Sequence, residues 1–290
     1  MLIDVDEDVQ LDAEVLGDAD APAVLLIAGT GWSRDWWDDD LCARLVARGR
    51  RVIRYDHRDT GGSTSWPAGA PGYTGRELFT DAVAVLDAFG VDRAHIVGLS
   101  LGGGIAQELG LEHRDRVSAL TLVATTAIGP TVGELPGATP EMRAVFADRG
   151  PDPDWSDPAA AVTALVEGER PFAGPDAFDE ERMRAIAERV VARSRDLAAS
   201  TTNHVVMDLG PTGPTAMEEL AGLPVLVVHG TADPLFPVAH GRALAAAIPG
   251  ARLLEIEGMG HQLPPEPVWD RLVTAMLDDR ESRRTPRWPG

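Results

Sequence analysis

The chain has 290 residues, 44% hydrophobic and 25% charged, enough for one large domain with a sizeable core or for one domain carrying an insertion. Its 46 acidic and 26 basic residues give a net charge of −20, which repels phosphate backbones and anionic membranes and argues against nucleic-acid or membrane partners. The lone Cys42 excludes an intrachain disulfide or a cysteine-built metal site, no apolar run approaches the roughly 20 residues that span a bilayer, and the acidic start Met1-Leu2-Ile3-Asp4 lacks the basic and apolar regions of a secretory signal, so a cytoplasmic protein is expected.

Residues 9–16 alternate apolar and polar, as a half-buried strand does. Residues 23–28 (A-V-L-L-I-A) form a continuous apolar run, the pattern of a strand buried on both faces. A helix is predicted over 38–48, a strand over 51–55 and a helix over 76–89, stopped by Gly90. A strand over 94–99, a helix over 102–112 and a strand over 117–124 continue the rhythm. From Gly129 to Leu220 no buried strand is predicted, only helical pieces at 141–148, 158–167 and 179–200. The alternation then resumes with a strand at 224–229, a helix at 238–248, a strand at 252–256 and a closing helix at 267–278; a polar tail over 280–290 is expected to fray. Alternation of this kind means an α/β fold with a mainly parallel sheet. Its core spans 1–128 and 221–290, and a helical insertion spans 129–220.

The chemistry concentrates at three predicted strand ends. Gly98-Leu99-Ser100-Leu101-Gly102 is a G-x-S-x-G motif where a strand passes into a helix. Such a turn exposes the serine, needs small residues two positions either side, and aims free helix N–H groups at the site. Serine is a poor nucleophile without an oriented base, so an acid and then a histidine should follow in the chain. Asp233 follows the strand at 224–229, and His261 follows the strand at 252–256 in Glu257-Gly258-Met259-Gly260-His261. Of the other histidines, 95, 113, 204, 229 and 240 read as structural or exposed. His57 reads as loop packing with Asp56 and Arg58, with a substrate contact as its sharper alternative.

An acyl-transfer oxyanion needs two backbone donors. Leu101 follows the nucleophile, and the loop Gly29-Thr30-Gly31-Trp32 offers Thr30, or Gly31 as the alternative. Candidate walls of a substrate pocket are Trp32, Trp36, Leu101 and Leu235, with Phe146, Trp155, Phe172, Phe178 and Met207 from the insertion; lid core is the plainer reading of each insertion aromatic. All basic residues are arginine, so Schiff-base and P-loop lysine chemistry is excluded; no metal cluster or dinucleotide fingerprint stands out.

These segments resemble the α/β-hydrolase superfamily along essentially the whole chain. Within it, Arg54-Tyr55-Asp56-His57-Arg58-Asp59-Thr60-Gly61 and Val91-Asp92-Arg93-Ala94-His95-Ile96-Val97-Gly98 are similar to aclacinomycin methylesterase and its relatives, which hydrolyse a methyl ester on an aromatic polyketide. The resemblance implies an α/β-hydrolase fold, a mostly parallel sheet with helices on both faces and a helical cap. It also implies a cofactor-free serine esterase acting on a small-molecule ester, with Ser100 as nucleophile, His261 as base and Asp233 as its orienter. Where the superfamily's oxyanion loop begins His-Gly, this chain has Ala28-Gly29. Lactone or carbon–carbon bond hydrolysis, perhydrolysis, peptide cleavage and a catalytically silent binding protein are the alternatives on this fold.

Overall fold

The computed structural model describes residues 1–130, 133–148, 150–210, 213 and 215–277; the tail expected to fray lies outside them. The strands are β1 (Leu2–Asp6), β2 (Val9–Leu16), β3 (Ala23–Ile27), β4 (Arg51–Tyr55), β5 (Ala94–Leu99), β6 (Val117–Val123), β7 (Val225–Gly230) and β8 (Arg252–Ile256). They form one sheet in the order β1-β2-β4-β3-β5-β6-β7-β8. The β1/β2 and β2/β4 pairs are antiparallel, and every pair from β4 to β8 is parallel.

Alternation along the strands divides the core into two layers. Leu25, Ile27, Ile96 and Leu122 face the helices α2 (Gly75–Ala88), α3 (Leu101–Glu112) and α8 (Ala239–Ala247). Val24, Leu26, Val97 and Val228 face α1 (Asp39–Ala47) and α9 (Trp269–Leu277) on the other side. Covering both faces suits strands that are apolar throughout. Cys42 is part of the second layer, where burial pushes its thiol up to about 12, so it packs as a small apolar residue. Strand β1 was not anticipated. Its buried Ile3 alternates with exposed Leu2 and Asp4, a weak signal in so acidic a segment.

Between β6 and β7 the described residues form helices α4 (Pro140–Ala147), α5 (Pro158–Glu169), α6 (Glu180–Arg193) and α7 (Leu197–Val206). The single helix expected over 179–200 is therefore two. Ser194 leaves helical geometry at ψ 134°, and the Asp196 carboxylate caps a new helix by accepting the Ala199 N–H at 2.9 Å. The break turns α7 onto the loop after β4, where Arg195 N–H meets Gly61 O at 2.9 Å. Just before the break, the Arg193 guanidinium binds three carboxylates from separate segments: Asp12 on β2 at 3.0 Å, Asp35 at 2.7 Å and Asp56 at 2.9 Å.

Candidate active site

Ser100 sits between β5 and α3 with φ 51° and ψ −113°, a conformation L-residues avoid. The flanking glycines make this turn possible. A Cβ on Gly98 would collide with Gly102 O, and one on Gly102 with Ile27 O, so any side chain there would force helix and strand apart. Thr125 Oγ1, just past the end of β6, donates to Ser100 O at 2.9 Å and fixes the turn.

His261 Nε2 lies 3.0 Å from Ser100 Oγ, and its Nδ1 lies 2.9 Å from Asp233 Oδ2. A carboxylate only accepts, so Nδ1 carries the proton and Nε2 is left to accept from the serine hydroxyl. The other Asp233 oxygen accepts the Leu235 and Phe236 N–H groups at 2.9 and 2.8 Å. With one oxygen locked by two backbone donors, the second is aimed at the imidazole. His229 Nε2 is 3.4 Å from the same Asp233 oxygen, but its proton goes to Phe236 O at 2.7 Å, and burial lowers its pKa; it is a neutral neighbour. The histidine loop is itself held by the segment after α5: His261 N–H donates to Phe172 O at 2.7 Å, and a Cβ on Gly260 would collide with that carbonyl.

The loop after β3 runs beside Ser100. A Cβ on Gly29 would stand 3.6 Å from Ser100 Cβ. Among the described residues, no protein acceptor takes the N–H of Thr30 or of Leu101. Gly31 N–H, by contrast, is occupied: it donates to His204 Nδ1 at 3.0 Å. His204 is buried, and its Nε2 donates to Arg58 O at 2.8 Å. His57 is also buried, with Nε2 donating to Ala28 O at 3.1 Å. Burial pushes His57 down to about 3 and His204 to about 4, so both rings are neutral in the folded protein.

That neutrality has a thermodynamic signature. The unfolded chain protonates both rings near 6.5, whereas the folded chain refuses the protons until about 4 and about 3. Folding stability is therefore full above pH 6.5 and is lost as pH falls toward 4. Urea midpoints measured from about pH 7 to about pH 5 should fall less steeply in a His57→Gln, His204→Gln double variant than in wild type. Equal slopes would show that the rings titrate alike in both states.

A cavity of about 270 Å³ opens beside Trp32 of the loop after β3, walled by Trp32, Trp36, Glu169, Met183, Ile186 and Gln262 among others; Ser100, Asp233 and His261 do not line it. Trp32 and Trp36 stack with ring centroids 4.6 Å apart, and Trp32 Nε1–H donates to the Glu169 carboxylate at 3.0 Å. Burial pushes Glu169 up to about 7. Phe178 lines the cavity as well, and the remaining expected wall residues lie elsewhere. Trp155 packs against the cluster of Trp36, Ala161 and Ile186. The Phe172 ring stands 6.2 Å from the His261 ring, and Leu235 serves Asp233 through its backbone. Phe236, its ring 5.3 Å from His261, escaped the sequence reading although it follows Leu235 directly. Nothing in the sequence marks Glu169, which is one of two acids at the end of α5.

A serine on a strand-to-helix elbow, a histidine in reach of its hydroxyl and an anchored aspartate behind that histidine, all at one edge of a parallel sheet, define an α/β hydrolase. The family model for the alpha/beta hydrolase fold matches residues 22–266, and the chain belongs to that family. The chain is 36% identical to the rhodomycin D methylesterase of Streptomyces sp. strain C5 and 38% identical to that of Streptomyces peucetius, in each case over 89% of this chain and 91% of the relative. Among solved structures, the enol-lactonase of Burkholderia xenovorans LB400 is 26% identical with a TM-score of 0.68, covering 93% of this chain and 96% of its own.

Proposed function

We propose that the protein is a serine hydrolase that cleaves a carboxylic ester of an apolar or aromatic small molecule, with methyl esters first among the substrates to test. The observation that carries this reading is the hydrogen-bonded line Ser100 Oγ, His261, Asp233 beside the N–H groups of Thr30 and Leu101, which meet no protein acceptor among the described residues. Ser100 Oγ attacks the ester carbonyl as its proton passes to His261 Nε2, and Asp233 stabilises the imidazolium. The carbonyl oxygen, now an anion, accepts from Thr30 and Leu101. Collapse expels the alkoxide, which takes the proton from Nε2 and leaves as the alcohol, methanol for a methyl ester. Water deprotonated by the same nitrogen then attacks the acyl-serine, releasing the acid and restoring the hydroxyl.

The similarity to two methylesterases supports this substrate class, and the similarity to an enol-lactonase makes a lactone the second substrate to try. Fluorophosphonate labelling of Ser100, followed by hydrolysis of a panel of methyl, acyl and lactone substrates, is the test. A protein that neither labels nor turns over any of them is a binding protein on this fold. No helix among the described residues is long and apolar enough to cross a membrane.

In this reading 129–220 is the cap, 1–128 and 221–290 are the core, and Trp32, Trp36, Trp155, Phe172 and Leu235 are the residues that select the substrate. The Phe172 ring stands 6.2 Å from that of His261, so Phe172→Ala should remove apolar contact worth roughly 1–3 kcal/mol for a bulky aromatic methyl ester. Hydrolysis of p-nitrophenyl acetate should lose far less. Trp155→Ala should change this ratio less than Phe172→Ala does, because its ring is committed to the Trp36 cluster. If the ratio of kcat/KM for the two esters is the same in wild type and Phe172→Ala, that ring is lid core.

A further inference from the structure

The insertion reaches the backbone of the oxyanion loop through His204, and a core histidine meets the same loop from the other end. Three consecutive peptide units matter. The carbonyl of the Ala28–Gly29 unit accepts from His57 Nε2 at 3.1 Å. The N–H of the Thr30–Gly31 unit donates to His204 Nδ1 at 3.0 Å. The unit between them carries the Thr30 N–H.

We infer that His57 and His204 are positioning residues that brace the oxyanion loop from both sides, so that helix α7 of the insertion helps to set the Thr30 donor. The inference rests on the proposed use of Thr30 N–H to bind the oxyanion. Four observations carry it. His204 uses both ring nitrogens, with Nε2 donating to Arg58 O at 2.8 Å, so its ring spans from the loop after β4 to the loop after β3. The two rings meet edge to face, their centroids 5.7 Å apart. Helix α7 is fastened independently: Ser200 Oγ donates to Asp59 O at 2.6 Å, and Asn203 Nδ2 donates to Asp59 Oδ2 at 2.8 Å. Finally, Gly31 has φ 71°, and a Cβ there would stand 2.7 Å from Ser200 O, so the helix backbone closes on the loop at the unit that His204 holds.

Rigid donors stabilise the tetrahedral state without reorganising at the moment of reaction, and a loop free to turn its peptide forfeits that. Gly31 N–H is committed to His204, which leaves Thr30 as the donor the loop can offer; the alternative choice of Gly31 is set aside.

Two amide replacements separate the contacts. His204→Asn leaves an amide oxygen near the position of Nδ1, able to accept from Gly31, while His204→Gln leaves an amide N–H near Nε2, able to donate to Arg58 O but not to hold the loop. With p-nitrophenyl acetate, kcat should fall about tenfold to a hundredfold in His204→Gln with KM little changed, and His204→Asn should recover most of the loss. Affinity for a trifluoromethyl ketone, which mimics the tetrahedral state, should fall in step with kcat, while affinity for a planar amide analogue stays put. Wild-type kcat in a folded His204→Gln would overturn the brace, as would equal losses in both variants or losses confined to KM. Should the His204 variants fail to fold, His57→Gln against His57→Leu asks the same question from the core: the amide should keep kcat and the leucine lower it, and equal rates would overturn the proposal. A wild type that hydrolyses no ester and takes no fluorophosphonate refutes the reaction itself, a result distinct from an active enzyme indifferent to His204.

Discussion

Ser100→Ala should lower kcat/KM for p-nitrophenyl acetate by on the order of 10⁴-fold or more, leaving what the oxyanion donors and binding supply. The fold should survive. Alanine keeps the Cβ that already stands at φ 51°, so the turn becomes no more strained than it is, and the glycines at 98 and 102 still let helix and strand close. Only the hydroxyl facing His261 Nε2 is gone. A variant with wild-type turnover would move the nucleophile elsewhere; a variant that melts many degrees lower would show that the hydroxyl also holds the elbow.

Asp233→Asn should cost about 10²–10⁴-fold in kcat, for a reason the hydrogen bonds make specific. The oxygen that accepts from the Leu235 and Phe236 N–H groups cannot become an NH₂ without facing two donors. The new amide nitrogen must therefore sit where Oδ2 now faces His261 Nδ1. Nδ1 then has to accept, the ring proton moves to Nε2, and the base points a proton at the serine. The double variant Asp233→Asn, His261→Ala should be scarcely worse than the worse single one, because the residues act as a unit. Losses that multiply would assign them to separate sites. Kinetics of all four proteins on one ester decide it.

Why was this much of the site readable from sequence? Strand-ending loops in an α/β sheet are short, and Ser100, Asp233 and His261 each stand within a few residues of an apolar strand end. Chain order and sheet edge then bring them together with no long-range packing to know. The glycines at 98 and 102 carried the same kind of local information, since a turn that tight admits nothing larger. The break at Ser194 was invisible because the apolar stripe of α6 runs toward α7 without changing period, and what accompanies the local Asp196 cap is a bond from Arg195 N–H to Gly61 O, far away in the chain. His204 was passed over for a related reason. Its partners, Gly31 and Arg58, lie 173 and 146 residues away, and no spacing rule connects them. The cavity walls mix residues from both ends of the chain, so an aromatic's sequence position did not tell which wall it joins.

Arg193 bears on how far such proteins can be remade by exchanging caps. Its guanidinium answers carboxylates from β2, from the turn at Asp35 and from the loop after β4, all of which belong to the part that a cap exchange would leave behind. A transplanted helical segment lacking arginine at this place would take the guanidinium from Asp35 and Asp56 and leave Asp12 to Arg34 and the N-terminal amine, in a protein already at −20 with no lysine to spare. Grafts would succeed only when donor and recipient share this ionic socket, whatever the fit of their apolar surfaces. The boundary between the inserted helices and the sheet that carries them is, in electrostatic terms, drawn through the middle of one side chain's coordination shell.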